Sequence, residues 1–141
     1  MILVTGTKRS GTSMWMQVLR AAGIPVLGEA FPRDWEEVLG AANPGGFFES
    51  HLRSGVNFET NPHPRTGVYL RPDETRLTAV KVFVPGVLRS DLACVHKVLA
   101  SIRNWREYHG SILRLYAMEA EARHGEGQEP FPHLTPTLEW W

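Results

Sequence analysis

The sequence predicts one α/β domain of three layers, a mainly parallel sheet flanked by helices. Three observations predict it. A β-rich run, Ile2-Leu3-Val4-Thr5, leads through a glycine-bounded loop into a helical apolar pattern. A second run, Ala79-Val80-Lys81-Val82-Phe83-Val84, reads as the clearest strand, ended by Pro85-Gly86. A weaker run, His96–Ile102, is followed by a second helical stripe. Strands alternating with helices build parallel sheets.

In the first helical stretch Trp15, Val18, Leu19 and Ala22 recur at helical spacing, and Gly23 is placed to stop it. Asp34 and Glu37 have capping-box spacing, so a short helix is expected through about Leu39. Asn43-Pro44-Gly45-Gly46 is a turn. Residues 51–77 are polar and carry Pro62, Pro64 and Pro72; they read as a long surface loop with a short strand at Val68–Leu70. Such loops inside a compact domain are usually functional or disordered. Trp105, Tyr108, Ile112, Leu115 and Tyr116 form a helical stripe expected to reach about Arg123, with Gly125 as stop signal. Residues 124–134 read as a linker and Thr135-Pro136 as the start of a further helix. The sequence stops at Trp140-Trp141, so the expectation is a domain that is small or truncated there, with more chain or a partner over the two tryptophans.

A length of 141 residues suits a single domain over 1–141. The formal net charge is zero, which opposes nucleic-acid binding through bulk charge and requires any anion site to be local. The single cysteine, Cys94, allows no internal disulfide and fits a reducing compartment. No apolar run approaches the roughly 20 residues that span a bilayer. No signal-peptide pattern opens the chain, so a cytoplasmic location without membrane attachment is expected. The histidines at 51, 63, 96, 109, 124 and 133 are scattered, and no Cys/His cluster has metal-ligand spacing; no metal is expected.

Gly6-Thr7-Lys8-Arg9-Ser10-Gly11-Thr12-Ser13 has the spacing of a P-loop, two glycines with four residues between them and then a hydroxyl pair. Glycines let backbone N–H groups turn inward, and the following helix adds unpaired N–H groups and the positive end of its dipole. Ser10, Thr12 and Ser13 can add hydroxyl donors, and Lys8 and Arg9 supply charge. Nucleotide triphosphatases have lysine after the second glycine, where this chain has Thr12. That opposes magnesium-assisted ATP or GTP hydrolysis.

The loop Thr7–Ser13 resembles the one by which sulfotransferases hold the 5′-phosphosulfate end of 3′-phosphoadenosine-5′-phosphosulfate. Arg9 stands at the family's basic residue, with Lys8 beside it; the family's tryptophan would fall at Met14, one before Trp15. Arg103-Asn104 at the end of the weaker strand, with Ser111 eight positions on, resembles the family's 3′-phosphate site, although Trp105 replaces a frequent proline. Bidentate arginine pairing suits a phosphate. Lys81-Val82-Phe83-Val84-Pro85 is similar to the family's Lys-Thr-His-Leu-Pro strand end, with Lys81 on its lysine and Phe83 in place of its catalytic histidine. Asn43-Pro44-Gly45-Gly46-Phe47-Phe48-Glu49 resembles a segment of bacterial sulfotransferase-like proteins. The resemblance covers roughly residues 1–120, and the family's late Arg-Lys-Gly loop is absent from the sequence.

The resemblance implies transfer of a sulfuryl group to a hydroxyl or amine, with 3′-phosphoadenosine-5′-phosphate as product. Positioning and charge cancellation do most of such work. Arg9 and Lys8 would stabilise the leaving phosphate, and Lys81 would sit on the bridging or equatorial oxygens. Phenylalanine takes no proton, so Glu49 is the first candidate base, Glu29 the second and His51 the third. A small-molecule or carbohydrate acceptor is the expected partner, and homo-oligomer formation stays open. Two rivals stand beside this: a P-loop nucleotide kinase, opposed by Thr12, and a non-catalytic or truncated nucleotide-binding domain, favoured by Phe83 and the absent late loop.

Overall fold

The computed structural model describes residues 1–32 and 35–123. Strands Ile2–Gly6 (β1), Val26–Leu27 (β2), Ala79–Lys81 (β3) and Lys97–Ser101 (β4) form one sheet in the order β2-β3-β1-β4. All three pairings are parallel. Helices Thr12–Ala21 (α1), Trp35–Leu39 (α2), Val84–Arg89 (α3) and Trp105–Arg123 (α4) flank it. The sequence expectation of a mainly parallel sheet with flanking helices therefore holds.

Both faces of β1 are covered, which is why it reads as an unbroken apolar run. Leu3 points into a core with Val80, Val82, Leu52, Val56 and Cys94. Ile2 and Val4 point the other way, onto Met16 of α1, Phe48 and Ala79. Met16 is fully buried and Val18 is 47% exposed, so the inward stripe of α1 is turned from the one read in the sequence. A third core joins Leu39 of α2 to Phe47 and to Tyr108, Ile112 and Leu115 of α4. These α4 residues are the stripe read in the sequence.

Parallel pairing puts the carboxyl ends of β1, β3 and β4 on one edge, with Val4 beside Lys81 and Gly6 beside Ser101. From β1 the chain leaves toward β2, whereas β4 is added on the opposite side of β1. The strand order reverses between β1 and β4, the position where ligands sit in open α/β sheets.

Several local expectations differ from the structure. The strand begun at Ala79 stops at Lys81, and Pro85 stands in the first turn of α3. Proline lacks an N–H and fits a helix start as well as a strand end. Val68–Leu70 is not a strand: the Leu70 N–H and carbonyl are both bonded by the Asn61 side chain, at 2.8 and 2.9 Å. The 51–77 segment opens with a 3-10 turn at His51–Ser54 and continues as a loop, and Leu52 and Val56 are fully buried and anchor it to the sheet. β2 had no signal in the sequence; its two residues pair with Ala79 and Val80. The capping role of Asp34, the Gly125 stop, the 124–134 linker, the helix start at Thr135-Pro136 and Trp140-Trp141 lie outside the described residues.

Candidate functional site

The loop between β1 and α1 has a constrained backbone. A Cβ on Gly6, at φ +154°, would collide with Ser10 Oγ and lie 2.6 Å from the Ser101 carbonyl oxygen. Gly11 caps α1 at φ 104°, with no side-chain hydrogen bond to the helix. The first amides of a helix have no intrahelical partner, and this end carries the positive dipole. Arg9 has φ 63°, a left-handed conformation that costs a non-glycine residue about 1 kcal/mol. Such strain persists where the surroundings over-determine it.

Here the surroundings are β4 and α4. Arg9 Nε donates to Ser111 Oγ at 3.0 Å, and Arg9 Nη2 to the Ala42 carbonyl at 3.2 Å. The Arg9 carbonyl accepts from Arg103 Nη1 at 3.0 Å. Ser101 Oγ donates to the Ser10 carbonyl at 2.6 Å. The loop and the Arg103–Ser111 region thus form one continuous surface. Burial pushes the Arg9 guanidinium below its ordinary pKa, and the charges of Arg103 and Arg114 push it further. Lys8 is exposed, with its ammonium 5.9 Å from the Tyr116 ring centre. The buried hydroxyl of Ser10 has no hydrogen-bond partner.

The second cluster sits at the end of β3. Lys81 Nζ is 2.5 Å from Glu49 Oε1, 2.5 Å from the Phe47 carbonyl and 3.3 Å from Ser13 Oγ. Ser13 Oγ donates to the same Phe47 carbonyl at 3.3 Å. The turn before Phe47 sets this geometry. Asn43 Nδ2 donates to the Gly46 carbonyl at 2.6 Å, and Gln17 of α1 donates to Asn43 Oδ1 and to that carbonyl. Phe47 and Phe48 are then buried, and Glu49 turns toward Lys81. Burial lowers the Lys81 pKa, and the Glu49 carboxylate opposes the shift. Glu49 Oε2 is buried without a hydrogen-bond partner.

Of the three candidate bases, Glu49 is the one that forms an ion pair with Lys81. Glu29 is exposed and reaches Glu49 through backbone hydrogen bonds of 2.9 and 3.0 Å. His51 lies against His63, ring centres 4.1 Å apart, and burial lowers its pKa, with His63 adding to the effect. Phe83 is 40% exposed, with the Arg53 guanidinium 5.7 Å from its ring centre. Sequence reading missed Gln17 and Ser101, and it read Asn43 only as part of a turn. The Gln17–Asn43 and Ser101–Ser10 bonds join positions 26 and 91 apart, and no local spacing signals them.

Among the described residues, no group of three or more His, Cys, Asp or Glu side chains could hold a metal ion. No helix among them is long and apolar enough to cross a membrane. Comparison with family models, curated proteins and solved structures finds no match to the chain.

Proposed function

We propose that the chain is a P-loop domain of sulfotransferase type, which binds 3′-phosphoadenosine-5′-phosphosulfate and moves its sulfuryl group to a hydroxyl or amine of a small-molecule or carbohydrate acceptor. The observation that carries this is the Arg9–Ser111 hydrogen bond, which joins the glycine-bounded loop to the surface beside Arg103. One ligand with two anionic ends can contact both. The residues fit such a ligand: an orphaned Ser10 hydroxyl, a helix start without a side-chain cap, and an Arg9 guanidinium whose pKa is lowered by burial and by the charges of Arg103 and Arg114.

The donor supplies an activated sulfuryl group. Lys8, Arg9, Ser10, Gly11, Thr12 and Ser13 hold its 5′ end through loop amides, hydroxyls and charge. Arg103 and Ser111 hold the 3′-phosphate. Lys81, beside Ser13, offsets negative charge that grows on the leaving oxygen. Glu49 receives the acceptor's proton on Oε2, since Oε1 is engaged by Lys81. Phe83 offers an apolar surface and no proton site.

A second reading, a nucleotide-binding domain without turnover, is favoured by the number of contacts Lys81 already makes within the chain. Calorimetric titration with 3′-phosphoadenosine-5′-phosphate and with ATP tests the site. The first is expected to bind at least about tenfold tighter, a difference of about 1.4 kcal/mol, and to be lost on Arg103→Ala. Equal or tighter binding of ATP overturns the assignment. A wild type that binds the donor and never consumes it across an acceptor panel leaves the second reading standing.

A further inference from the structure

We propose that the groove at the end of α3 is the contact through which two copies of this chain pair about a two-fold axis, with Phe58 of each seated in the groove of the other and Arg89 of each facing Glu59 of the other. This pairing is independent of the donor site proposed above.

Asn57, Phe58 and Glu59 line one side of this groove and Arg89, Ser90 and Asp91 the other, around a volume of about 650 Å³. The two sides are bonded together at the base. The Val56 N–H donates to Ser90 Oγ at 2.9 Å, the Asp91 N–H to the Val56 carbonyl at 2.8 Å, and Asn57 Nδ2 to the Arg89 carbonyl at 3.1 Å. A Cβ on Gly55, at φ +126°, would lie 2.8 Å from the Gly86 carbonyl oxygen, so the two segments touch backbone to backbone. Such a groove is formed in advance, and a partner pays little to order it. Its rim is apolar. Phe58 is 86% exposed, and Leu88 and Leu92, on either side of the 89–91 run, are 89% and 85% exposed. One such side chain is ordinary on a protein surface, but several around one groove mark an interaction site.

The charges choose the partner. A two-fold contact sets a patch against itself, so the patch must hold both halves of every pairing. This one does, with Glu59 on one side and Arg89 on the other, both exposed. Among the described residues neither forms an ion pair within the chain. Asp91, by contrast, is engaged at home, where its carboxylate accepts the Ala93 N–H at 3.0 Å. A partner of a single sign would meet its own charge on one side of the groove, and like charges set together oppose docking. A second copy turned about the axis meets the opposite charge on both sides. Phe58 then supplies the apolar anchor that such contacts need at their centre. The groove also lies away from the phosphate loop. Cys94, three residues beyond Asp91, packs with Met1 at the start of β1, whereas the loop follows the end of that strand. Pairing therefore leaves the loop open.

The test is sedimentation equilibrium of the full chain. A dimer with a dissociation constant in the micromolar range is expected, as suits a small contact. Arg89→Glu and Glu59→Arg each set like charges together, and each alone is expected to weaken the dimer at least about tenfold. An equimolar mixture of the two variants restores pairing, because each sign again meets its opposite. Phe58→Ser removes the anchor and weakens the wild-type dimer by about tenfold as well. All three side chains are exposed, so the fold is kept, which circular dichroism checks. A wild type that stays monomeric into the submillimolar range overturns the proposal. So does a dimer that survives Arg89→Glu and Phe58→Ser, or a pair of charge variants that fails to associate when mixed, since either places the contact elsewhere.

Discussion

Lys81 and Glu49 form a nearly dry ion pair at the carboxyl end of β3, Nζ to Oε1 2.5 Å, with side chains 8% and 14% exposed. Burying two charges is tolerated only when further bonds satisfy them, and the Phe47 carbonyl and Ser13 hydroxyl do so for the ammonium. Removing one partner strands the other. Glu49→Ala is expected to lower the unfolding free energy by about 3 kcal/mol, seen as a shifted urea midpoint at unchanged slope. Glu49→Gln keeps an acceptor for Lys81 and costs less. It cannot take a proton, so donor consumption falls about a thousandfold while 3′-phosphoadenosine-5′-phosphate still binds. Full turnover by Glu49→Gln would remove Glu49 from the chemistry.

The pair also shows what the sequence could and could not disclose. Lys81 was legible because it lies on an apolar strand, and Glu49 because it follows a glycine-rich turn. Their contact was not, since it depends on Gln17 bonding Asn43 across 26 positions and on the burial of Phe47 and Phe48. The same holds for the sheet. Ile2–Thr5 and His96–Ile102 announce strands by composition; the structure extends the first by one residue, to Gly6, and trims the second by one residue at each end, to Lys97–Ser101. β2 is two residues long and owes its state to pairing with β3, so no local pattern encodes it. Pro85 was visible, but a proline marks both a strand's end and a helix's first turn, and α3 took the second use.

The Gly6 position is expected to tolerate no side chain. An added Cβ meets the Ser101 carbonyl at 2.6 Å, and that carbonyl belongs to a strand in register with β1. Backbone in a paired strand cannot retreat as a flexible side chain can. Gly6→Ala should cost about 2 kcal/mol of stability by crowding. It should also abolish binding of 3′-phosphoadenosine-5′-phosphate at a temperature where circular dichroism still shows the folded protein. Intact binding in that variant would detach the loop from the ligand.

His51 gives the fold an acid sensitivity of definite sign. Burial, reinforced by His63, holds its pKa below the ordinary 6.5. As the pH falls past 6.5 the unfolded chain therefore takes up the proton before the folded one does. Stability is full above that value and declines as the pH drops through the lower, folded value. The His63 ring, 4.1 Å from that of His51 between centres, is held in place by the Arg65 and Thr66 amides, which donate to its Nδ1. The melting temperature of the wild type should fall between pH 7 and pH 5, and His51→Gln should flatten the slope. An identical slope in both proteins would assign the acid limb to other groups.

Arg9 and Ser111 are 102 positions apart in sequence and 3.0 Å apart in space, and Arg103 bonds the same loop residue through its carbonyl. If a single ligand bridges this surface, Arg103 and Ser111 act as a unit on it. A double-mutant cycle distinguishes that from two independent contacts. Ser111→Ala deletes the acceptor of Arg9 Nε and should weaken 3′-phosphoadenosine-5′-phosphate about tenfold, with little change in stability. Arg103→Gln removes a charged contact and should cost more, about thirtyfold. The combined variant is expected to lose less than the product of the two, because freeing Arg9 and removing Arg103 disturb one phosphate position rather than two. Residues in a shared network typically show coupling above about 0.5 kcal/mol, which titration at fixed ionic strength resolves. Strict additivity would mean that the two residues contact separate ligands or none, and the bridging geometry would no longer support a nucleotide with anionic groups at both ends.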